Sequence, residues 1–224
     1  MIRSLLYDTL FGLPIEVATP NLYKVFLETV EENVSILEIG IGTGITLEKN
    51  AGLIKKKNIK IHGIDINDSY LQACQFRIEN SSLKNNVTLE LNDVLESKLA
   101  VDEYDYVLFM ESYPVIPKES LKPIIQKVIK ILKPSSKIVF IHNLVEEPEW
   151  NIGRAILKSN LKKLTTVEFG RLVVRGDFEG WCSSMGLYPE FIKMIGKLEL
   201  PIPGLRSIRQ YMYFWKPVYK YRRK

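Results

Sequence analysis

The chain has 224 residues, 46% of them hydrophobic and 25% charged, with a net charge of +5. That length suits one well-packed domain, and the composition excludes a disordered chain. No run reaches the roughly 20 apolar residues of a membrane span, and the N-terminal apolar run is too short and interrupted for a signal peptide, so a cytoplasmic setting is expected.

In chain order, Thr19-Pro20 ahead of NLYKVFLETVEE reads as a capped helix with proline at its first position. Short apolar, β-branched runs then alternate with segments of helical spacing. The strand candidates are Ser35–Ile39, Lys60–Ile64, Val87–Leu91, Tyr104–Met110 and Lys137–His142. Ile45–Lys57, Asp68–Leu83 (with Asn67 or Asp68 as cap) and Glu119–Leu132 (closed by Lys133-Pro134) read as helices between them. Such alternation predicts a parallel sheet with crossover helices. Beyond it, Glu149–Lys163 reads as a helix and Asp177–Met185 as a short helix ended by Gly186. Phe191–Ile195 and Arg209–Trp215, separated by the turn Pro201–Gly204, read as a pair of strands closing the sheet edge. The expected fold is a doubly wound, Rossmann-like α/β domain, with a seven-stranded, mostly parallel sheet and an antiparallel last strand. One domain covers residues 1–224: an N-terminal cap (1–33), a ligand-binding core (34–143), and a substrate-side half with a basic tail (144–224).

Gly40-Ile41-Gly42-Thr43-Gly44 follows an apolar strand and precedes a helix. Glycines there permit a tight turn and close approach of a ligand to the backbone, and a helix start offers free N–H groups. The spacing is Gly-x-Gly-x-Gly, not the dinucleotide-type Gly-x-Gly-x-x-Gly. Glu38 precedes the first glycine by two residues, and Asp65 ends the next strand about 20 residues on, where an acid can accept ribose hydroxyls. Asp93 follows the third strand and Glu111 the fourth. Cys74, Cys182, His62 and His142 have no metal-type spacing, so no metal site is expected, and the cysteines read as reduced thiols.

In order, LEIGIGTG, HGIDIN, LNDVLE, YDYVLFME and LKPSSKIVFIH resemble the motifs of the class I S-adenosylmethionine-dependent methyltransferases over Ser35–Asn143. The resemblance implies S-adenosyl-L-methionine as cofactor. Gly40, Ile41, Gly42, Thr43 and Gly44 would pass under it, with Glu38 near its positive end. Asp65 would hold the ribose, Ile66 would pack on the adenine, and Asp93 and Val94 would hold the base edge. Met110 and Glu111 would lie near the methionine part. The Asn/Asp-Pro-Pro-Tyr motif of base-amine and glutamine methyltransferases is replaced by Met110-Glu111-Ser112-Tyr113, which favours a small-molecule acceptor. The opening Tyr7-Asp8-Thr9-Leu10-Phe11-Gly12 is similar to bacterial phosphatidylethanolamine N-methyltransferases and their ubiquinone-type relatives, which implies an amine-bearing lipid head group. RNA or protein methylation is the alternative, and a non-catalytic cofactor-binding module a third reading.

Tyr7, Tyr113 and His142 are the candidates for the acceptor side. His142, at the end of its strand, reads either as a base or as a polar residue without chemistry. The tyrosines read either as π faces around a methylammonium or as lid packing. His62, in mid-strand, reads as structural. Arg206–Lys224 carries seven basic residues and no acid, leaving about −2 on the rest by difference. The interleaved aromatics over Tyr211–Trp215 read as an edge strand with alternating faces, and the tail beyond Pro217 reads as a frayed end, an anchor for an anionic membrane, or a nucleic-acid surface.

Overall fold

The computed structural model describes residues 13–145, 173–202 and 205–218, with side chains for 21–144, 173–195 and 209–218. The sequence calls on Tyr7, on the helix Glu149–Lys163 and on the tail end 219–224 lie outside the described residues. Its elements are α1 (Leu13–Thr29), β1 (Ser35–Ile39), α2 (Ile45–Lys49), α3 (Ala51–Lys56), β2 (Lys60–Asp65), α4 (Asp68–Asn80) and β3 (Val87–Leu91). They continue with β4 (Tyr106–Met110), α5 (Lys118–Ile131), β5 (Lys137–Val145), β6 (Val173–Val174), α6 (Arg175–Ser184), β7 (Leu187–Ile202) and β8 (Leu205–Pro217).

The strands form one sheet in the order β3-β2-β1-β4-β5-β8-β7, with the two-residue β6 beside β5. Strands β1 to β5 are parallel, and the last strand, β8, runs antiparallel to both β5 and β7. The expected mostly parallel sheet with its antiparallel last strand is therefore present, with β6 as a short addition. Strand β4, in the middle of the sheet, is apolar throughout because both its faces are covered, and every residue of it is buried. Alternate residues feed two cores. Ile36, Tyr106, Leu108, Val139 and Phe214 face α1 to α4, and Leu37, Val107, Phe109, Phe140 and Trp215 face α5 and α6. Helix α5 earns its place through Leu121, Ile124, Ile125, Val128 and Ile131, one apolar stripe at helical spacing.

Several boundaries differ from the sequence reading. Helix α1 begins at Leu13, so Thr19 does not cap it and Pro20 lies inside. Its stripe Leu22, Tyr23, Phe26, Leu27 and Val30 is buried on the sheet, and that packing overrides the local stop signal. The helix expected over Ile45–Lys57 breaks at Asn50, whose side-chain amide donates to the Thr46 carbonyl at 2.8 Å and competes with the backbone ladder. Strand β4 starts at Tyr106, not Tyr104, because Tyr104 turns its hydroxyl to His62 Nδ1 at 2.7 Å. Strand β5 continues to Val145, because β8 pairs with it up to Leu144.

Candidate functional site

Strand β1 pairs with β2 on one side and β4 on the other, so the order of the sheet reverses beside it. Open α/β sheets bind ligands in the crevice at the carboxyl end of such a reversal. The glycine loop lies there. Gly40 and Ile41 N–H both donate to the Ile64 carbonyl, at 2.8 and 3.3 Å, tying the loop to the end of β2. Gly40, Gly42 and Gly44 all have left-handed backbones, with φ 76, 63 and 73. They serve different ends. A Cβ on Gly40 would lie 2.7 Å from Ser112 Cβ, and one on Gly44 would lie 2.5 Å from Cys74 Sγ, so these two glycines let β4 and α4 press against the loop. Around Gly42 nothing lies within 4 Å of such an atom, and this is the face left open to a ligand. Ile41 points its side chain into the core over Gly63, leaving only its backbone to the crevice. The Thr43 carbonyl accepts from Arg77 Nη1 at 2.9 Å, which pins the loop to α4.

Four acids lie at or just beyond the carboxyl ends of β1 to β4. Asp65 accepts from Gly42 N–H through Oδ2 at 2.8 Å and from Asn67 N–H through Oδ1 at 2.9 Å. Each oxygen keeps a further lone pair for a ligand hydroxyl. Ile66, beside it, is 76% exposed, an apolar surface without a cover of its own. Asp93 is exposed and accepts from Leu95 N–H at 2.8 Å, while Val94 beside it is buried. Glu38 is 1% exposed and accepts from the Tyr23 hydroxyl at 2.8 Å. Burial, reinforced by the nearby Asp65, lifts its carboxyl to about 8 although the Tyr23 bond pulls the other way. Glu111 is half-buried, and desolvation lifts it to about 7 against hydrogen bonds from Asn143. Met110, the last residue of β4, is buried in the core facing α1 to α4, continuing the inward alternation of the strand. Tyr23, Ser112 and Asn143 were not singled out in the sequence. Tyr23 sits within an apolar helix stripe, and nothing there marks it as a partner for Glu38. Ser112 Oγ, beneath Gly40, is buried with no hydrogen-bond partner among the described residues.

The acceptor-side candidates behave differently. His142 does not end its strand. It lies within β5 opposite Tyr211, wholly buried, with Phe178 edge-on at 4.5 Å and Tyr113 at 5.2 Å. Tyr113 is also buried, against Phe140, Phe178 and Trp181. Both rings belong to the packing of α6 on the sheet, directly behind the crevice. His62 bonds Tyr104 and lies 3.2 Å from Glu90, as a structural residue would. Cys74 and Cys182 are buried free thiols. Among the described residues no three His, Cys, Asp or Glu side chains converge on a metal position, and no helix is long and apolar enough to cross a membrane.

Residues 36–135 match the family model of a methyltransferase domain. An uncharacterised protein of Rickettsia prowazekii is 26% identical over 125 residues, 56% of this chain and 48% of that one. The methyltransferase GfsG of Streptomyces halstedii is 20% identical over 123 residues, 55% of this chain and 42% of that one. The chain thus spans about half, or less, of the length of these curated relatives. Among solved structures, a geranyl diphosphate C-methyltransferase from Streptomyces coelicolor, in complex with S-adenosyl-L-homocysteine, superposes with a TM-score of 0.66 at 11% identity, over 92% of this chain and 80% of that one. An S-adenosylmethionine-dependent methyltransferase from Methanosarcina mazei does so with a TM-score of 0.63 at 16% identity, over 86% and 96%. Residues 36–135 thus match a methyltransferase domain, and the fold is one shared with solved S-adenosylmethionine-dependent methyltransferases. The residues present fit S-adenosylmethionine: an open face at Gly42 and, among the described residues, an unpartnered hydroxyl at Ser112 and two carboxyls, the buried Glu38 and the half-buried Glu111, without an ion-pair partner.

Proposed function

We propose that this protein is an S-adenosylmethionine-dependent methyltransferase acting on a small molecule, with an amine-bearing phospholipid head group as the acceptor class. The observation that carries the reading is the open Gly42 face at the sheet reversal, bonded to Asp65, with Glu38, Asp93 and Glu111 at the carboxyl ends of the neighbouring strands. A crevice of acids suits a cationic ligand and repels a dinucleotide phosphate. The backbone of Gly40–Gly44 carries the cofactor, and the spare lone pairs of Asp65 take its ribose hydroxyls. Ile66 covers one face of the adenine and Asp93 accepts from its amino group. Glu38 and Glu111 balance the positive end. The bound cofactor supplies an electrophilic methyl group on a sulfonium sulfur. The chain then has to orient the acceptor and keep water out, and the aromatic wall of Tyr113, Phe178 and Trp181 stands behind that position.

The absent Asn/Asp-Pro-Pro-Tyr motif and a structural neighbour named for geranyl diphosphate support a small acceptor. Tyr7 and the opening around it support the lipid class. The aromatics Tyr211–Trp215 are buried in β8, and it is the basic residues after Pro217 (Lys220, Arg222, Arg223 and Lys224) that support docking at an anionic membrane surface, although the same charges would also meet RNA. Calorimetry with S-adenosylmethionine tests the premise, and no binding would sink the reading. Asp65→Ala should weaken that binding by about 10-fold or more, since hydrogen bonds to a charged group contribute roughly 1.5–3 kcal/mol. Unchanged affinity would remove Asp65 from the site. Labelled methyl transfer to liposomes, small amines, RNA and protein extract, run in parallel, separates the acceptors. Transfer to RNA alone would overturn the small-molecule reading.

A further inference from the structure

Glu111 follows β4 with φ 54, a left-handed backbone that costs a non-glycine residue about 1–3 kcal/mol and gathers at functional sites. Its N–H donates to the Ile141 carbonyl at 2.8 Å, so pairing with β5 continues one residue past the strand. The chain then turns and sets Ser112 under Gly40. This delivers the Glu111 side chain to the carboxyl edge of the sheet, beside the glycine loop. There Asn143 Nδ2 donates to both carboxyl oxygens, at 3.1 and 3.2 Å. Among the described residues no Lys, Arg or His forms an ion pair with it. The neighbouring acids are engaged elsewhere, Glu38 by Tyr23 on α1 and Asp65 by loop N–H groups. A half-buried carboxyl with one amide residue for company is a place for a positive charge.

Resting on the function proposed above, we propose that Glu111, positioned by Asn143, distinguishes the sulfonium form of the cofactor from the neutral thioether left after methyl transfer. Both forms carry the same adenosine and the same ammonium, so only the charge at sulfur separates them. Glu111 follows β4 two residues before Tyr113, whose ring packs on Phe178 and Trp181 of α6, the side that the proposed function gives to the acceptor. Its attraction for the donor lapses once that charge is gone, which favours exchange of spent for fresh cofactor. Glu38, enclosed beneath the loop and held by Tyr23, keeps its proton over most of the range from pH 6 to pH 8 and does not tell the two forms apart.

The test is calorimetry of the full chain with S-adenosylmethionine and with S-adenosylhomocysteine between pH 6 and pH 8. The wild type, Glu111→Gln and Asn143→Ala are compared. Burial holds the Glu111 carboxyl at about 7. Its ionised fraction, and with it the preference for the sulfonium, should therefore rise about 10-fold across that range. Glu111→Gln should flatten the rise while binding S-adenosylhomocysteine like the wild type, which also reports an intact fold. Asn143→Ala should move the rise to higher pH, because its hydrogen bonds favour the carboxylate. A purely structural asparagine would leave the midpoint in place. Equal losses for both ligands in Glu111→Gln, or an unaltered preference, would overturn the inference. Binding of neither ligand to the wild type would instead sink the proposed function, and the role of Glu111 with it.

Discussion

The two halves of the sheet are held together by different means. From β3 to β5 the site is made by backbone. Three left-handed glycines, the Ile64 carbonyl and the Asp65 carboxylate fix a loop whose side chains contribute little. From β5 to β7 the structure is made by rings. Phe178 of α6 lies edge-on within 5.2 Å of Phe140, His142, Tyr113 and Tyr213. Each such pair adds about 0.5–1.5 kcal/mol to the burial of the ring itself. The first construction tolerates no change of backbone and serves one cofactor. The second is set by packing volume, which can be refilled by other residues. Under the function proposed above, the first half would keep the donor and the second could vary with the acceptor.

The division breaks most visibly at Phe178. Phe178→Ala should cost about 3–5 kcal/mol, the range for a fully buried phenylalanine. If the halves are separate in their construction, the remaining folded protein should bind S-adenosylmethionine with little change. Denaturant unfolding paired with calorimetry checks both parts. A large loss of cofactor affinity in folded protein would show that the rings also hold the loop.

The loop sharpens the comparison from the other side. Gly44→Ala adds a left-handed penalty of about 1–2 kcal/mol and a Cβ placed 2.5 Å from Cys74 Sγ and 3.1 Å from Cys74 Cα, so stability and binding should fall together. Gly42→Ala carries the same backbone penalty but meets open space. It should therefore lose binding out of proportion to stability. Thermal melts with and without S-adenosylmethionine distinguish them. Equal behaviour of the two variants would deny Gly42 its place facing the ligand.

The same contrast governs what the sequence made legible. The strand–loop–helix around Gly40–Gly44, with Asp65 and Asp93 downstream, is a local pattern, because turn geometry needs glycine at fixed positions. The β7–β8 pair was also visible, through its aromatic alternation. What was hidden depends on long-range contact. Tyr23 reaches Glu38 from another element, Asn143 reaches Glu111 from β5, and Ser112 acquires meaning only under Gly40. His142 was misplaced for a related reason. Lys137–His142 stops where the local apolar run stops, but strand length is set by its partner, and β8 extends the pairing to Leu144. Likewise α1 ignores its Thr19-Pro20 signal because the sheet holds the whole helix.

Glu38 gives the smallest effect and the finest probe of the backbone-built half. Its carboxyl moves from an ordinary 4.5 in the unfolded chain to about 8 in the folded one, through burial first and the charge of Asp65 against it. Between those values the unfolded chain has given up a proton that the folded protein keeps. The unfolded state then binds fewer protons, and stability of the cofactor-free protein falls as pH rises from about 4.5 to about 8. Glu111 adds a slope of the same sign but only up to about 7. Between pH 7 and pH 8 the slope therefore belongs mainly to Glu38, on the order of 1 kcal/mol per pH unit. Glu38→Gln keeps an acceptor for the Tyr23 hydroxyl and has no proton to lose, so its denaturation midpoint should be flatter than that of the wild type in this window. Parallel pH profiles would mean that the pocket relaxes around an ionised Glu38, and that the loop above it is less rigid than its glycines imply.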